Sequence, residues 1–146
     1  MSTAARIAIL ADVIRLSLAP VFLITGVASL LGVLSNRLGR IIDRARRLEK
    51  ELRDADAAGI ARLHDELGIL SRRARLVYLA ITLGVVCALL VCIVIATVFA
   101  SLLLHINITS VVAILFIAAM LVLIGSLVSF LREVFLATAS LRIGPL

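Results

Sequence analysis

Three long runs without a charged side chain decide most of what this chain can become. Leu16 to Ser35, Leu76 to Leu104 and Ile108 to Leu131 contain 20, 29 and 24 residues. About 20 apolar residues, each rising ~1.5 Å along a helix, cross a hydrocarbon core of ~30 Å. All three runs are long enough, and the second must tilt or protrude. Composition agrees: 63% hydrophobic residues, no Trp and a mean hydropathy of +1.22 do not suit a water-soluble globule. The expected fold is an all-α membrane protein with three transmembrane helices. The first run differs from a secretory signal, because Asp12 and Arg15 precede it and it is full span length, so it is expected to remain in the mature protein.

The charge is concentrated where the apolar runs are not. Between Arg37 and Arg75 lie 18 of the 24 charged residues, including eleven of the fifteen basic ones. A formal charge of +6 and a pI near 11.0 raise the question of nucleic acid. The window has no aromatic residue to stack on bases and an apolar run on each side, so nucleic-acid binding is not expected. Excess Lys and Arg beside apolar spans instead marks a cytoplasmic loop. With residues 36–75 inside, the chain starts outside and the tail at 132–146 is cytoplasmic. The expected order is an amphipathic segment at 1–15, spans at 16–35, 76–104 and 108–131, and the charged loop between the first two.

Periodicity gives the loop a shape. Leu38, Ile41, Ala45, Leu48, Leu52 and Ala55 follow a 3-4-3-4-3 spacing, and Ile60, Leu63, Leu67, Leu70, Ala74 and Val77 repeat it. Each set is a coiled-coil seam. The two are mirror images about a centre between Ala57 and Ala58, which predicts an antiparallel helical hairpin that matches Leu48 with Leu67 and Ala45 with Leu70. Gly59 is then the expected left-handed turn residue. In this register Arg44 faces Arg73 and Glu51 faces Glu66, like against like. No strong helix breaker separates the arms from the neighbouring spans, so helices continuous with the spans are expected.

Charge is also segregated along the arms. Residues 37–47 and 67–75 carry eight arginines against one aspartate, whereas 49–66 carry three basic and six acidic residues. Arg37, Arg40, Arg44, Arg46, Arg47, Arg72, Arg73 and Arg75 would therefore sit near anionic headgroups and fix the topology. The acidic tip is left to water or a partner.

Few polar residues interrupt the spans. Asp12 and Arg15, with Ile7, Leu10, Val13 and Ile14, predict a short amphipathic helix on the outer surface before Pro20. His105 and Asn107 predict the outer turn, and Cys87 and Cys92 read as small apolar residues. Ala28 with Gly32, Gly84 with Ala88, and Gly125 with Ser129 have the four-residue spacing that lets helices approach closely in lipid. No nucleophile with a base, paired buried carboxylates, phosphate-binding glycine loop or metal-ligand cluster is present, so neither an enzyme nor a cofactor nor a small-molecule substrate is expected.

The stretches "LAPVFLITGVASLLGVLSNRLGRIIDRARRLEKEL", "ILSRRARLVYLAI" and "LREVFLATASLRIG" resemble the bacterial membrane family catalogued as domain of unknown function 2721. The resemblance rests on Ala19-Pro20, Asn36-Arg37-Leu38-Gly39-Arg40, Arg72-Arg73-Ala74-Arg75 and Leu131-Arg132-Glu133, and covers nearly the whole chain. It implies a bacterial inner-membrane location and carries no activity with it. The order of outer segment, span, cytoplasmic hairpin and two further spans also looks like the plan of the YidC-like insertases. The function expected is that of a scaffold or assembly protein, self-associating or part of a larger membrane complex. An insertase-like factor is one alternative. An oligomeric pore lined by Thr25, Ser29, Thr97 and Ser126 is the other.

Overall fold

A computed structural model of the chain describes residues 3–104 and 107–139. They form three helices, α1 (Thr3–Arg53), α2 (Ala57–Leu104) and α3 (Thr109–Ala139), and among the described residues there is no strand. Each helix is long and apolar enough to cross a membrane. At ~1.5 Å per residue, α1 and α2 are each roughly 70 to 75 Å long, more than twice a hydrocarbon core. Both therefore continue from an apolar run into the charged window without a break.

The ends of these helices follow local chemistry. Asp54 N donates to Glu51 O at 3.2 Å, closing α1, and Asp56 Oδ1 accepts from Gly59 N at 3.0 Å, capping α2. A carboxylate in that position satisfies an amide that has no partner within its helix. The connection is thus residues 54–56, earlier than the centre between Ala57 and Ala58, and Gly59 lies inside helix α2 rather than in a left-handed turn. Asn107 Oδ1 plays the corresponding part for α3, accepting from Thr109 N at 3.4 Å and from Thr109 Oγ1 at 2.9 Å. His105, also expected in this turn, lies outside the described residues.

Two further expectations change. The N-terminal segment is not a separate helix, because α1 runs through Pro20 from Thr3. Proline forfeits one backbone hydrogen bond, and the flanking helix tolerates that loss. The segment after the third apolar run is no tail at its start either: α3 continues to Ala139 and buries Glu133 completely. Residues 140–146, including Arg142, lie outside the described part.

α2 is the central element; it packs against both neighbours, while α1 and α3 make little contact with one another. Its buried positions Leu70, Val77, Ala80, Gly84, Cys87, Val91 and Val94 lie along one face, the first two seven residues apart and the rest at three- and four-residue steps. The stripe runs from the charged window into the apolar run without interruption. One cluster joins Leu34, Ile41 and Leu48 of α1 to Leu70, Val77 and Ala80 of α2. A second joins Val27 to Cys87, Val91 and Ala119, so all three helices meet there. Away from these clusters the helices show bare apolar side chains, with Leu16 72%, Phe22 73% and Leu103 82% exposed. Hydrocarbon tolerates such a surface and water does not.

Candidate functional site

The seam residues are placed unevenly. Leu38, Ile41, Ala45, Leu48, Leu63, Leu67, Leu70, Ala74 and Val77 all belong to the first cluster, along with Leu30, Leu34, Ala80 and Ile81 beyond the charged window. Leu52 and Ala55 are half-buried outside it, and Ile60 is exposed. The cluster is thus displaced from the tip toward the apolar ends. Around the cluster, Arg44 reaches Glu66 from one arm to the other, and Arg37 and Arg73 share the carboxylate of Glu133.

Arg44 Nη2 donates to Glu66 Oε1 at 2.8 Å, a diagonal contact between arms. The Glu66 hydrogen bond, helped by its charge and that of Glu51, pushes the Arg44 pKa up from its ordinary value. Both side chains are substantially exposed, 52% and 38%, so the pair is bathed in water.

The buried counterpart lies where the charged window meets the apolar runs. Glu133 of α3 is wholly inaccessible to solvent. Its Oε1 accepts from Arg73 Nε at 3.1 Å and Nη2 at 2.9 Å, a forked contact with α2. Its Oε2 lies 3.2 Å from Arg37 Nε of α1, close enough for an ion pair but too poorly aligned for a hydrogen bond. Arg37 also stands over the Phe130 ring, 5.4 Å from its centroid, which holds the guanidinium against α3. One carboxylate therefore ties together three helices, two of which otherwise scarcely touch.

Beside this junction is a cavity of about 490 Å³ whose wall includes Arg37, Arg40, Arg44 and Arg73. Val33, Ile41 and Leu70 complete it. Of the arginines expected near headgroups, these four converge; Arg46, Arg47, Arg72 and Arg75 are exposed and do not line it. Sequence reasoning missed Glu133 as a site residue. The available signal was a carboxylate two residues beyond an apolar run, where an unpaired charge would be costly.

The small-residue pairs also divide. A Cβ added to Gly84 would come within 2.9 Å of Leu31 Cδ2 and 3.7 Å of Ser126 Oγ, so here α1 and α3 both close on α2. Ala88 packs in the second cluster, Gly125 faces Leu83, and Ser129 is buried with its hydroxyl on Gly125 O. Ala28 and Gly32 are exposed. Thr25, Ser29 and Thr97 donate to backbone carbonyls of their own helices, whereas Ser126 donates across to Ala80 O of α2 at 2.7 Å. Among the described residues, no three His, Cys, Asp or Glu side chains are grouped so as to hold a metal ion.

By length and composition, the three apolar helices define the class of helical membrane proteins. Within that class the chain belongs to the family described as Protein of unknown function (DUF2721), which it matches over residues 17–143. No curated protein and no solved structure matches it.

Proposed function

We propose that this protein is a non-enzymatic scaffold or assembly factor of the bacterial inner membrane. In this reading α1 and α2 extend into the cytoplasm as an antiparallel coiled-coil hairpin, with the N-terminus outside and the C-terminus inside. The carrying observation is the continuous core: the packing of Leu34, Ile41 and Leu48 against Leu70, Val77 and Ala80 crosses from apolar run to charged arm. A projection so joined to its anchor transmits position, which suits assembly with a second copy or another membrane protein. The excess of arginine at its base supports the orientation.

The alternatives draw less support. An insertase-like role calls for a polar groove between the spans. The groove of about 430 Å³ lined by Leu16, Pro20, Val94 and Phe116 is apolar. A pore calls for hydroxyls facing a lumen, and those of Thr25, Ser29 and Thr97 are engaged with backbone carbonyls.

The test is the mass of the particle extracted from native membranes in a mild detergent. A complex well above the 15.6 kDa chain is expected. Recovery of a bare monomer with no companion would overturn the reading. Leu48→Asp should dissolve the complex while the protein remains membrane-integrated, and a complex that survived it would relieve the arms of the assembly role.

A further inference from the structure

We propose that the arginine-walled cavity at the junction is a binding site for a phosphate group, carried by an anionic phospholipid headgroup or by a soluble phosphate compound. This goes beyond the assembly reading and does not depend on it. The argument begins with donors. Each guanidinium has five N–H groups, arranged in forks that match the oxygens of phosphate. Glu133 occupies Nε and Nη2 of Arg73 and lies against Nε of Arg37, so both arginines keep terminal N–H groups uncommitted. Arg44 gives one terminal nitrogen to Glu66. Arg40 has no ion-pair partner among the described residues.

Charge leads to the same ligand. Four guanidinium groups in the wall, set against the carboxylates of Glu133 and Glu66, leave two positive charges unbalanced. A phosphate monoester carries ~1.5 to 2 negative charges near neutral pH, and two phosphodiesters carry about the same. Two of the arginines are also held in place before any ligand arrives, Arg73 by its fork on Glu133 and Arg37 by Glu133 and Phe130. Preorganised donors lose less freedom on binding. The volume of about 490 Å³ lies within the ~300 to 1,000 Å³ typical of ligand sites. Val33, 53% exposed at the cytoplasm-proximal end of the first apolar run, gives the cavity an apolar lip beside its cationic wall. An amphiphile with a phosphate headgroup complements both.

The experiment uses the full-length protein in a neutral detergent, with phosphatidylglycerol, zwitterionic phosphatidylcholine and inorganic phosphate as separate probes. Native mass spectrometry reads retained lipid and thermal unfolding reads stabilisation. Phosphatidylglycerol is expected to be retained in preference to phosphatidylcholine. Arg40→Gln, which removes the unpaired guanidinium without breaking an ion pair, should weaken this about ten-fold. Arg46→Gln makes the same charge change outside the cavity and should stay within about two-fold of the unaltered chain. Stabilisation by inorganic phosphate alone, again dependent on Arg40, would assign the site to a soluble compound. The proposal is overturned if neither anionic probe is preferred to phosphatidylcholine, or if Arg40→Gln and Arg46→Gln weaken binding equally.

Discussion

Two of the arginine–glutamate contacts in this molecule lie within a few turns of each other, and their closest approaches are nearly equal. Arg73 meets Glu133 at 2.9 Å and Arg44 meets Glu66 at 2.8 Å. Their surroundings differ. Glu133 is sealed from solvent between three helices, whereas Glu66 and Arg44 lie open on the charged arms. Distance alone is therefore a poor guide to consequence. A sealed charge stripped of its partners has no water to turn to, while an exposed one is resolvated at once.

The sharpest way to break this comparison is to remove both carboxylates in turn. Glu133→Ala leaves Arg37 and Arg73 adjacent and uncompensated, and should destabilise the protein by about 3 to 5 kcal/mol, read from denaturant unfolding in detergent. Glu66→Ala should leave the unfolding midpoint close to that of the unaltered chain, and any difference should shrink as salt is added. Equal effects from the two substitutions would remove the distinction.

The contrast between junction and tip extends to apolar residues. Leu48 is 1% exposed, and Leu48→Ala should cost roughly 2 to 4 kcal/mol through lost contacts and the cavity left behind. Ile60 belongs to the same sequence pattern but is 38% exposed, so Ile60→Ala should stay within about 0.5 kcal/mol. Circular dichroism during thermal unfolding compares them directly. Comparable losses would mean that Ile60 is as closely packed as Leu48.

A smaller effect is expected at the helix ends. Asp56→Ala deletes the acceptor for Gly59 N and should cost about 1 kcal/mol, with fraying confined to the start of α2. Hydrogen exchange at residues 57–60 would register it. Exchange spreading to Leu70 would mean that the tip and the core unfold as one unit.

How far these features could be read from the sequence depended on contrast. In the charged arms an apolar residue every three or four positions is conspicuous, so Leu38 through Val77 could be picked out. Ala80, Gly84, Cys87, Val91 and Val94 continue that stripe in α2 but sit in an uncharged run where most positions are hydrophobic on every face. Periodicity carries no signal there. The turn lies at residues 54–56 rather than between Ala57 and Ala58, because the Asp56 side chain caps the start of α2. The capping pattern was present in the sequence, and a local hydrogen bond outweighed the symmetry of a marginal seam.

Alone, the sequence determined the helices, their number and the places where they are too apolar for water, because propensity and transfer energy are summed residue by residue. It also placed the arginines at the base of the arms. Only the tertiary structure decided which arginines converge, that Arg37 and Arg73 share Glu133, and that Arg40, beside a cavity, has no ion-pair partner among the described residues. Those outcomes depend on the register of α1 on α2 and on the reach of α3 past its apolar run. Register is a difference between nearly equal packings, and a shift of one turn changes every partner while leaving the pattern of residues along each helix untouched.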